Sequence, residues 1–385
     1  MNLPDLALPR PRLPVLTSLR FFAAFHVVLF HLQATKIAFL TGPLANFASI
    51  GYIGVSFFFV LSGFILVYTY AGRPLAKPQF WRARFARIYP AYAFSLFFTA
   101  PFFFFAIFNM KIPFFTFAAA HPIGVSLLVL SLLQSWVPAA ALSWNTVAWS
   151  LSVEAFFYLL FPFLLPALLQ RKRTLLVFFI VTCWLVSLGL ATAYIVYKPD
   201  GLAHVDADVL LANGLNVLKF NPLVRLPEFL LGMATGILFL GGSNRPQLAL
   251  ALVAIAVIGF VAAAHFSHAI PYPILHTGFL SPLFAAFIYG LALRPSWSTF
   301  LENRVLVLLG DASYSLYLLH AAILPMFFLR PDGKVHNNGP LGIILAVLVV
   351  IGLCVLVYRF IEEPARRKLN PRHQKDAPQE QPAFA

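Results

Sequence analysis

Ionisable side chains inside long apolar stretches are the residues of this chain that could do chemistry. Arg20, His26 and His31 lie in the first such stretch, at about residues 15–36. Arg20 and His31 are 11 residues apart, which in a helix is within ~20° of whole turns, so they share a face with ~16 Å between them along the axis. His26 points ~120° or more away. A lone membrane histidine is often a packing residue, but the arginine on the same face favours function. We predict His31 as a general base and Arg20 as a second catalytic residue.

A cluster of cations lies in the segment Pro78–Tyr92, PQFWRARFARIYPAY. Pro78 suits the first turn of a helix, and Arg84 and Arg87 are spaced i, i+3, so their guanidinium groups share a face. Such a pair is typical of a phosphate or pyrophosphate clamp. An anchor for lipid head groups is the alternative, and the segment taken alone favours it.

Glu154 is the carboxylate of the apolar segment Ser143–Pro162, SWNTVAWSLSVEAFFYLLFP. A glutamate among Phe and Leu needs a partner, since otherwise burial would keep it neutral. We predict that Glu154 is catalytic and orients the imidazole of His31; an ion pair with Arg225 is the alternative. Trp149, in the same segment, is a candidate substrate-binding residue.

Two further motifs provide candidates for substrate binding. Arg225 and Glu228 occur in NPLVRLPEFLLG at the start of an apolar run, and His320 ends the motif GDASYSLYLLH. Asp311 in that second motif is predicted to cap the N-terminus of a helix. Hydrogen bonding between helices is the alternative role for its serines and tyrosines.

The composition indicates which elements position these residues. Of 385 residues, 61% are hydrophobic and 10% are charged, whereas a soluble domain has about 25% charged residues. Apolar runs near the ~20 residues that span a bilayer recur along the chain, and they are continuous rather than alternating. The sequence therefore predicts an all-α polytopic membrane protein.

The distribution of basic residues predicts the topology. Eleven apolar runs can be drawn, but the run near residues 122–137 is short and bounded by prolines, so we predict a re-entrant or interfacial segment there and about ten transmembrane helices. Both termini then lie in the cytoplasm, with 19 basic residues inside and seven outside, as the positive-inside rule requires. The N-terminus lacks a small-residue cleavage site and is interpreted as a retained span of a bacterial inner-membrane protein.

The predicted domain organisation is a membrane domain over 1–370 and a polar, disordered cytoplasmic tail over 371–385. The net charge is +14. In a membrane protein this charge is interpreted as attraction to anionic lipids and not to nucleic acid. The longest outer loop, Lys198–Pro222, is either a solvated connector or a cover over a site.

Taken together, the motifs resemble those of the acyltransferase-3 family of membrane acyltransferases. The shared elements run in order along the chain: Arg20 and His31, FFFVLSGFIL at Phe57–Leu66, R-x-x-R-x-Y-P with Arg84, Arg87, Tyr89 and Pro90, WSLSVEAFFY at Trp149–Tyr158, R-x-P-E-F at Arg225–Phe229, SYSLYLLH at Ser313–His320, and FIEEPARR at Phe360–Arg367. The resemblance implies a ten-helix core that acylates carbohydrates or other hydroxylated acceptors from cytosolic acyl-CoA, with acetyl-CoA the expected donor. It also implies that Arg20 and His31 are tied to activity and that Arg84, Arg87 and Tyr89 handle the donor. Some relatives carry a fused extracytoplasmic domain, so envelope-polymer assembly proteins are expected here as separate partners.

The expected mechanism has His31 removing the proton of an acceptor hydroxyl that attacks the thioester; direct transfer and a transient acyl-histidine both fit. The sequence lacks a Gly-x-Ser-x-Gly elbow and a zinc signature, so we expect neither a serine acyl-enzyme nor a metal. One rival is a transporter in which Arg20, His31, Glu154 and His320 form a proton or substrate relay. A second is a non-catalytic scaffold for envelope-polymer assembly.

Overall fold

The computed structural model describes residues 10–35, 40–242, 246–328 and 339–369. Within these ranges the chain is helical and forms no strand. The predicted tail at 371–385 and the basic residues Lys36, Arg245, Arg330 and Lys334 of the charge count lie outside the described residues. The all-α fold class is therefore confirmed for the described part of the chain.

Seventeen α-helices are formed in the described ranges. In chain order they are α1 Pro14–Ala34, α2 Gly42–Ser49, α3 Ile53–Tyr70, α4 Lys77–Asn109, α5 Thr116–Ala120, α6 Pro122–Leu130, α7 Trp149–Leu169, α8 Arg173–Tyr197, α9 Asn213–Phe220, α10 Pro222–Leu240, α11 Pro246–His265, α12 Tyr272–His276, α13 Ser281–Ala292, α14 Arg304–Asp311, α15 Ser313–Phe328, α16 Gly339–Val357 and α17 Glu363–Leu369. Four short 3₁₀ turns and one π-helical turn, Tyr358–Glu362, complete the described secondary structure.

Nine helices among the described residues are long and apolar enough to cross a membrane. Two bent helix pairs pass the same test, and each is a broken span or a re-entrant loop, so the described residues form nine spans and up to eleven if each pair is one span; α14 with α15 is bent by 61°. The other pair, Pro113–Ala120 with Pro122–Leu130, is bent by 93°, and its second helix lies in the predicted re-entrant region. The chain is thus a multi-pass membrane protein.

Hydrogen bonds to its carbonyl groups hold the re-entrant segment in the bundle. The hydroxyl of Tyr92 donates to the carbonyl of Val129 at 2.7 Å, and Ser152 donates to Leu132 at 2.6 Å. Carbonyls at the end of a short helix have no partner of their own and must find one inside a membrane. Side chains of α4 and α7 supply these partners.

The helix pair α3 and α10 is packed backbone to backbone. A Cβ atom on Gly232 would lie 2.8 Å from the carbonyl carbon of Val60, and one on Gly63 would lie 2.8 Å from the amide nitrogen of Met233. Small residues at such interfaces allow close approach of membrane helices. This contact fixes the position of Arg225 and Glu228, which lie on α10, along the axis of α3.

The two ends of the bundle differ in composition. We define the basic end by the connections 71–76 and 170–172, which contain or adjoin Arg73, Lys77 and Arg171–Arg173. Arg10 ties the start of α1 to this end by donating to the carbonyls of Tyr68 and Ala71, the latter at 2.7 Å. The loop end, defined by the connections 198–212 and 266–271, is opposite, and His31 lies in the last turn of α1 toward it.

The predicted N-cap at Asp311 is wrong. Asp311 is the last residue of α14, and α15 begins at Ser313 after a break at Ala312. The break is placed here because Gly310 packs directly on the backbone of Thr17 in α1. The aspartate therefore lies at the end of a helix and not at the start of one.

Candidate active site

A narrow cavity of about 100 Å³ near the basic end gathers the predicted cations. Arg20 of α1 and both Arg84 and Arg87 of α4 line it. The remaining polar lining comes from α3, α7 and α15, namely Ser62, Ser150, Glu154, Tyr158, Ser313, Tyr314 and Tyr317. The two arginine motifs, far apart in sequence, therefore meet in one site, which we call the arginine cavity.

Arg84 is held among aromatic rings and keeps its hydrogen-bonding capacity. Its guanidinium carbon lies 5.9, 5.8 and 5.7 Å from the ring centres of Tyr70, Phe80 and Tyr158. Its Nε atom is buried and has no hydrogen-bond partner in the described part of the chain. Rings attract a cation without using its N–H groups, so this guanidinium remains able to bind an anion.

Arg87 is paired with a carboxylate that the sequence had not singled out. Its Nη1 atom lies 3.6 Å from Oε1 of the fully buried Glu362, and Ser315 donates to the other oxygen, Oε2, at 2.9 Å. Glu362 lies in the π-helical turn between α16 and α17, a deviation that is frequent at functional sites. The FIEEPARR motif was the available signal.

Glu154 is in the arginine cavity, and the structure does not pair it with His31. It accepts hydrogen bonds from Tyr158, one helical turn later, and from Ser62 of α3 at 3.3 Å. The alternative pairing with Arg225 is not formed either, because Arg225 pairs with Glu228. The cavity thus has three guanidinium groups and one carboxylate in its lining.

His31 instead meets His320, one turn beyond Tyr317 on α15. The Nε2 atom of His320 lies 3.2 Å from Nδ1 of His31. Each Nδ1 also faces a carbonyl oxygen of its own helix, that of Val27 at 2.9 Å and that of Leu316 at 3.0 Å. Carbonyls only accept, so both neutral rings carry their proton on Nδ1. His31 then shares its Nδ1–H between Val27 and His320, and the lone pair of its Nε2 is left for a substrate.

The other histidine of α1 serves a different contact, as the helical spacing predicted. Nε2 of His26 lies 2.7 Å from the carbonyl of Phe47, and the two rings stack at 4.0 Å. His26 therefore joins α2 to α1, and a substitution of His26 is a matched control for the same substitution of His31.

Two predicted binding residues, Tyr89 and Trp149, make contacts outside the arginine cavity. Tyr89 donates to the carbonyl of Leu130 at 3.0 Å and so supports the re-entrant segment. Trp149 is buried against Phe59 and Phe220. Packing is the role that these contacts support.

Arg225 and Glu228 form a separate buried ion pair. Their Nη2 and Oε2 atoms are 3.0 Å apart, with side chains 1% and 2% exposed. Arg225 also donates to the carbonyl of His276 at 2.7 Å and to Ser56 at 2.9 Å. Breaking such a pair would leave an uncompensated buried charge, at a cost of about 3–5 kcal/mol. The pair joins α10 to α3 and α12.

The arrangement provides an anion site toward the basic end and an imidazole base toward the loop end. The described helices with this buried polar site define a multi-pass membrane protein that carries its candidate active site inside the helix bundle. The family described as an acyltransferase domain, acyltransferase family 3, matches residues 14–359.

Curated relatives agree with this family match. The acyltransferase MdmB of Streptomyces mycarofaciens is 30% identical over 384 residues, covering 94% of this chain and 93% of MdmB. The O-acetyltransferase OatA of Staphylococcus aureus (strain NCTC 8325 / PS 47) is 28% identical over 380 residues, covering 92% of this chain and 57% of OatA. YrhL of Bacillus subtilis (strain 168), a proposed peptidoglycan O-acetyltransferase, is 27% identical over 385 residues, covering 92% of this chain and 55% of YrhL. The chain thus spans little more than half the length of OatA and YrhL.

No solved structure matches the chain. The family match and the MdmB alignment both extend over nearly all of it, and the protein belongs to the acyltransferase-3 family; it is an O-acyltransferase.

Proposed function

We propose that this protein transfers an acyl group, acetyl in the simplest case, from acyl-CoA to a hydroxyl of a cell-envelope or exported carbohydrate. The observation that carries the proposal is the arginine cavity, in which Arg20, Arg84 and Arg87 converge below the His31–His320 pair. The name of OatA, an O-acetyltransferase, supports acetyl transfer to a hydroxyl, and that of YrhL, a proposed peptidoglycan O-acetyltransferase, supports this acceptor class.

Charge supports a phosphorylated donor. Three guanidinium groups and one carboxylate, that of Glu154, line the cavity, so its lining is net positive. The carboxylates of Glu362 and Asp311 lie outside the lining, Glu362 beside Arg87 and Asp311 within the electrostatic range of Arg20 and Arg87. A narrow cavity admits a thin chain such as pantetheine and leaves the phosphates at its arginine-lined mouth. Arg84, with its free Nε, is the principal phosphate ligand in this proposal.

The chemical step uses the lone pair of Nε2 on His31. The acceptor hydroxyl gives its proton to this nitrogen while its oxygen attacks the thioester carbonyl. The C–S bond then breaks, and the CoA thiolate takes the proton from the imidazolium. His320 accepts a hydrogen bond from Nδ1 of His31 and so stabilises the imidazolium, a role that replaces the predicted one of Glu154. An acyl-histidine would use the same lone pair as nucleophile.

The basic end faces the cytoplasm of a bacterial inner membrane in this proposal, because positive residues are retained there. Donor and acceptor then approach His31 from opposite sides. The basic loops contact anionic lipid head groups, and the carbohydrate is supplied by separate envelope-polymer assembly proteins.

A double-label experiment tests the reaction and excludes the transporter. Cells lacking the gene are complemented with wild type, His31→Gln or His26→Gln, and inside-out vesicles are given acetyl-CoA labelled in both the acetyl group and the adenine. We expect wild type and His26→Gln to place only the acetyl label on glycan, and His31→Gln to lower the rate by about 10²–10⁴-fold with unchanged CoA binding. Movement of both labels into the vesicle would establish transport instead.

A further inference from the structure

A second, larger cavity opens at the loop end. It has a volume of about 450 Å³, within the roughly 300–1,000 Å³ of small-ligand sites. We call it the loop-end cleft. Its walls are the start of the 198–212 loop and the connection 266–271, the former ordered by Asp200, which accepts from Tyr194 at 2.9 Å and from the amides of Gly214 and Leu215 at 2.8 Å.

Two tyrosines line the cleft above a buried histidine. The rings of Tyr52 and Tyr272 meet edge to face at 5.1 Å and 74°, and they lie 5.2 and 5.4 Å from the ring of His276. Apolar ring faces set at a large angle form a corner. Such a corner suits a rigid ring that presents C–H groups to one surface and polar groups to another.

Neutral polar groups lie along and beneath this floor without partners in the described part of the chain. Ser267 lines the cleft and its Oγ is buried, and Nδ1 of His276 is buried beneath the two tyrosine rings. The His276 side chain is 5% exposed. Hydroxyl and imidazole groups both donate and accept, which is the complement of a ligand rich in hydroxyls.

The charges of the cleft indicate a neutral ligand. Its lining includes Lys198 and Asp206, and Nε2 of His204 lies 3.4 Å from a carboxylate oxygen of Asp206. Lys219, whose Nζ lies 5.6 Å from the ring centre of Tyr272, has Asp208 as a further counter-charge, so the two cations and two carboxylates cancel. The arginine cavity is net positive by contrast. The two cavities therefore select different chemistry, an anion at the basic end and an uncharged molecule at the loop end.

The cleft also lies next to the base. Tyr52 contacts the ring of Phe30 at 5.4 Å, and Phe30 contacts the ring of His31 at 5.1 Å. One aromatic ring thus separates the floor of the cleft from the imidazole. The opposite side of the His31–His320 pair adjoins Tyr317 of the arginine cavity.

We propose that the loop-end cleft is the acceptor site and that it binds a neutral, polyhydroxylated ring such as a sugar residue, with Tyr52 and Tyr272 as its platform. The proposal rests on the proposed function, because the hydroxyl that His31 deprotonates belongs to the acceptor held here and has to extend past the ring of Phe30 to reach the imidazole. It also assigns a role to the 198–212 loop, which becomes a wall of the acceptor site.

Variants of the platform and of the wall test the proposal in cells that lack the gene. Tyr272→Leu removes the ring face and Tyr272→Phe keeps it; Ala207→Trp places bulk in the cleft, and Leu211→Trp, on the exposed part of the same loop, is the matched control. Alkali-released acetate from purified envelope glycans measures transfer. Calorimetric binding of CoA to each purified variant reports an intact donor site and fold.

We expect Tyr272→Leu and Ala207→Trp to lower glycan acetate at least about tenfold, equivalent to ~1.4 kcal/mol, with CoA affinity unchanged. Leu211→Trp should match wild type, and Tyr272→Phe, which keeps the ring face, should lose less glycan acetate than Tyr272→Leu. Wild-type acetate in both Tyr272→Leu and Ala207→Trp would overturn the acceptor site and leave the proposed function standing. If the wild-type gene adds no acetate and its product binds no CoA, the proposed function itself is wrong, and the acceptor site with it.

Discussion

Replacement of Arg84 by glutamine separates a donor clamp from a lipid anchor. Arg84 lines the arginine cavity within three aromatic rings, whereas Arg82, two residues earlier on α4, is exposed. Arg82→Gln is therefore a matched control that removes the same charge from the same helical turn. A lipid anchor would depend on the exposed residue at least as much as on the cavity residue.

The contacts of Arg84 set the expected magnitude. A hydrogen bond between a guanidinium and a phosphate contributes about 1.5–3 kcal/mol, which corresponds to a factor of roughly 10–150 in affinity. Glutamine retains some hydrogen bonding but no charge, so we expect the Kd for CoA to rise about 10–100-fold in Arg84→Gln. The exposed Arg82 acts only through screened charge, and its loss should change Kd less than about twofold.

Isothermal titration of CoA into purified protein measures both constants at two ionic strengths. The Debye length falls from ~10 Å at 0.1 M salt to ~3 Å at 1 M, so wild-type affinity should weaken with salt, and Arg84→Gln should show a shallower dependence. Dephospho-CoA and pantetheine, titrated in parallel, report which phosphates are bound. Equal losses in the two variants, or no loss in Arg84→Gln, would refute the clamp.

Two further predictions concern the scaffold. Gly232→Ala pushes α10 away from the backbone of α3 at Val60, so we expect the protein to lose about 1–3 kcal/mol of stability and to show a lower apparent Tm in detergent. Gly189→Ala on α8, where a Cβ meets nothing within 4 Å, should instead raise stability by roughly 0.5–1 kcal/mol. A higher Tm for Gly232→Ala than for Gly189→Ala would show that α3 and α10 move apart at little cost. Tyr89→Phe removes the hydrogen bond to Leu130 and should lower stability by about 1 kcal/mol without changing the Kd for CoA. A higher Kd for CoA in this variant would support the prediction that Tyr89 binds the donor.

The sequence by itself determined the membrane class and the face shared by Arg20 and His31. Both follow from local properties, since hydropathy accumulates along a run and helical geometry repeats every 3.6 residues. The re-entrant segment was predicted for the same reason, because a short run between prolines cannot cross the bilayer. His26 was assigned to another face by the same periodicity.

Only the tertiary structure decided which faces meet. His31 and His320 are separated by 289 residues, and local spacing does not determine whether the partner of an imidazole is a carboxylate or a second imidazole. Glu154 was predicted to orient His31, but it accepts a hydrogen bond from the Tyr158 hydroxyl, one turn away on its own helix. Glu362, which the sequence had not singled out, is the counter-charge of Arg87. Packing of α1 on α14 and α15, and of α3 on α10, sets these partners, because rigid helices bring together whatever side chains lie at the contact.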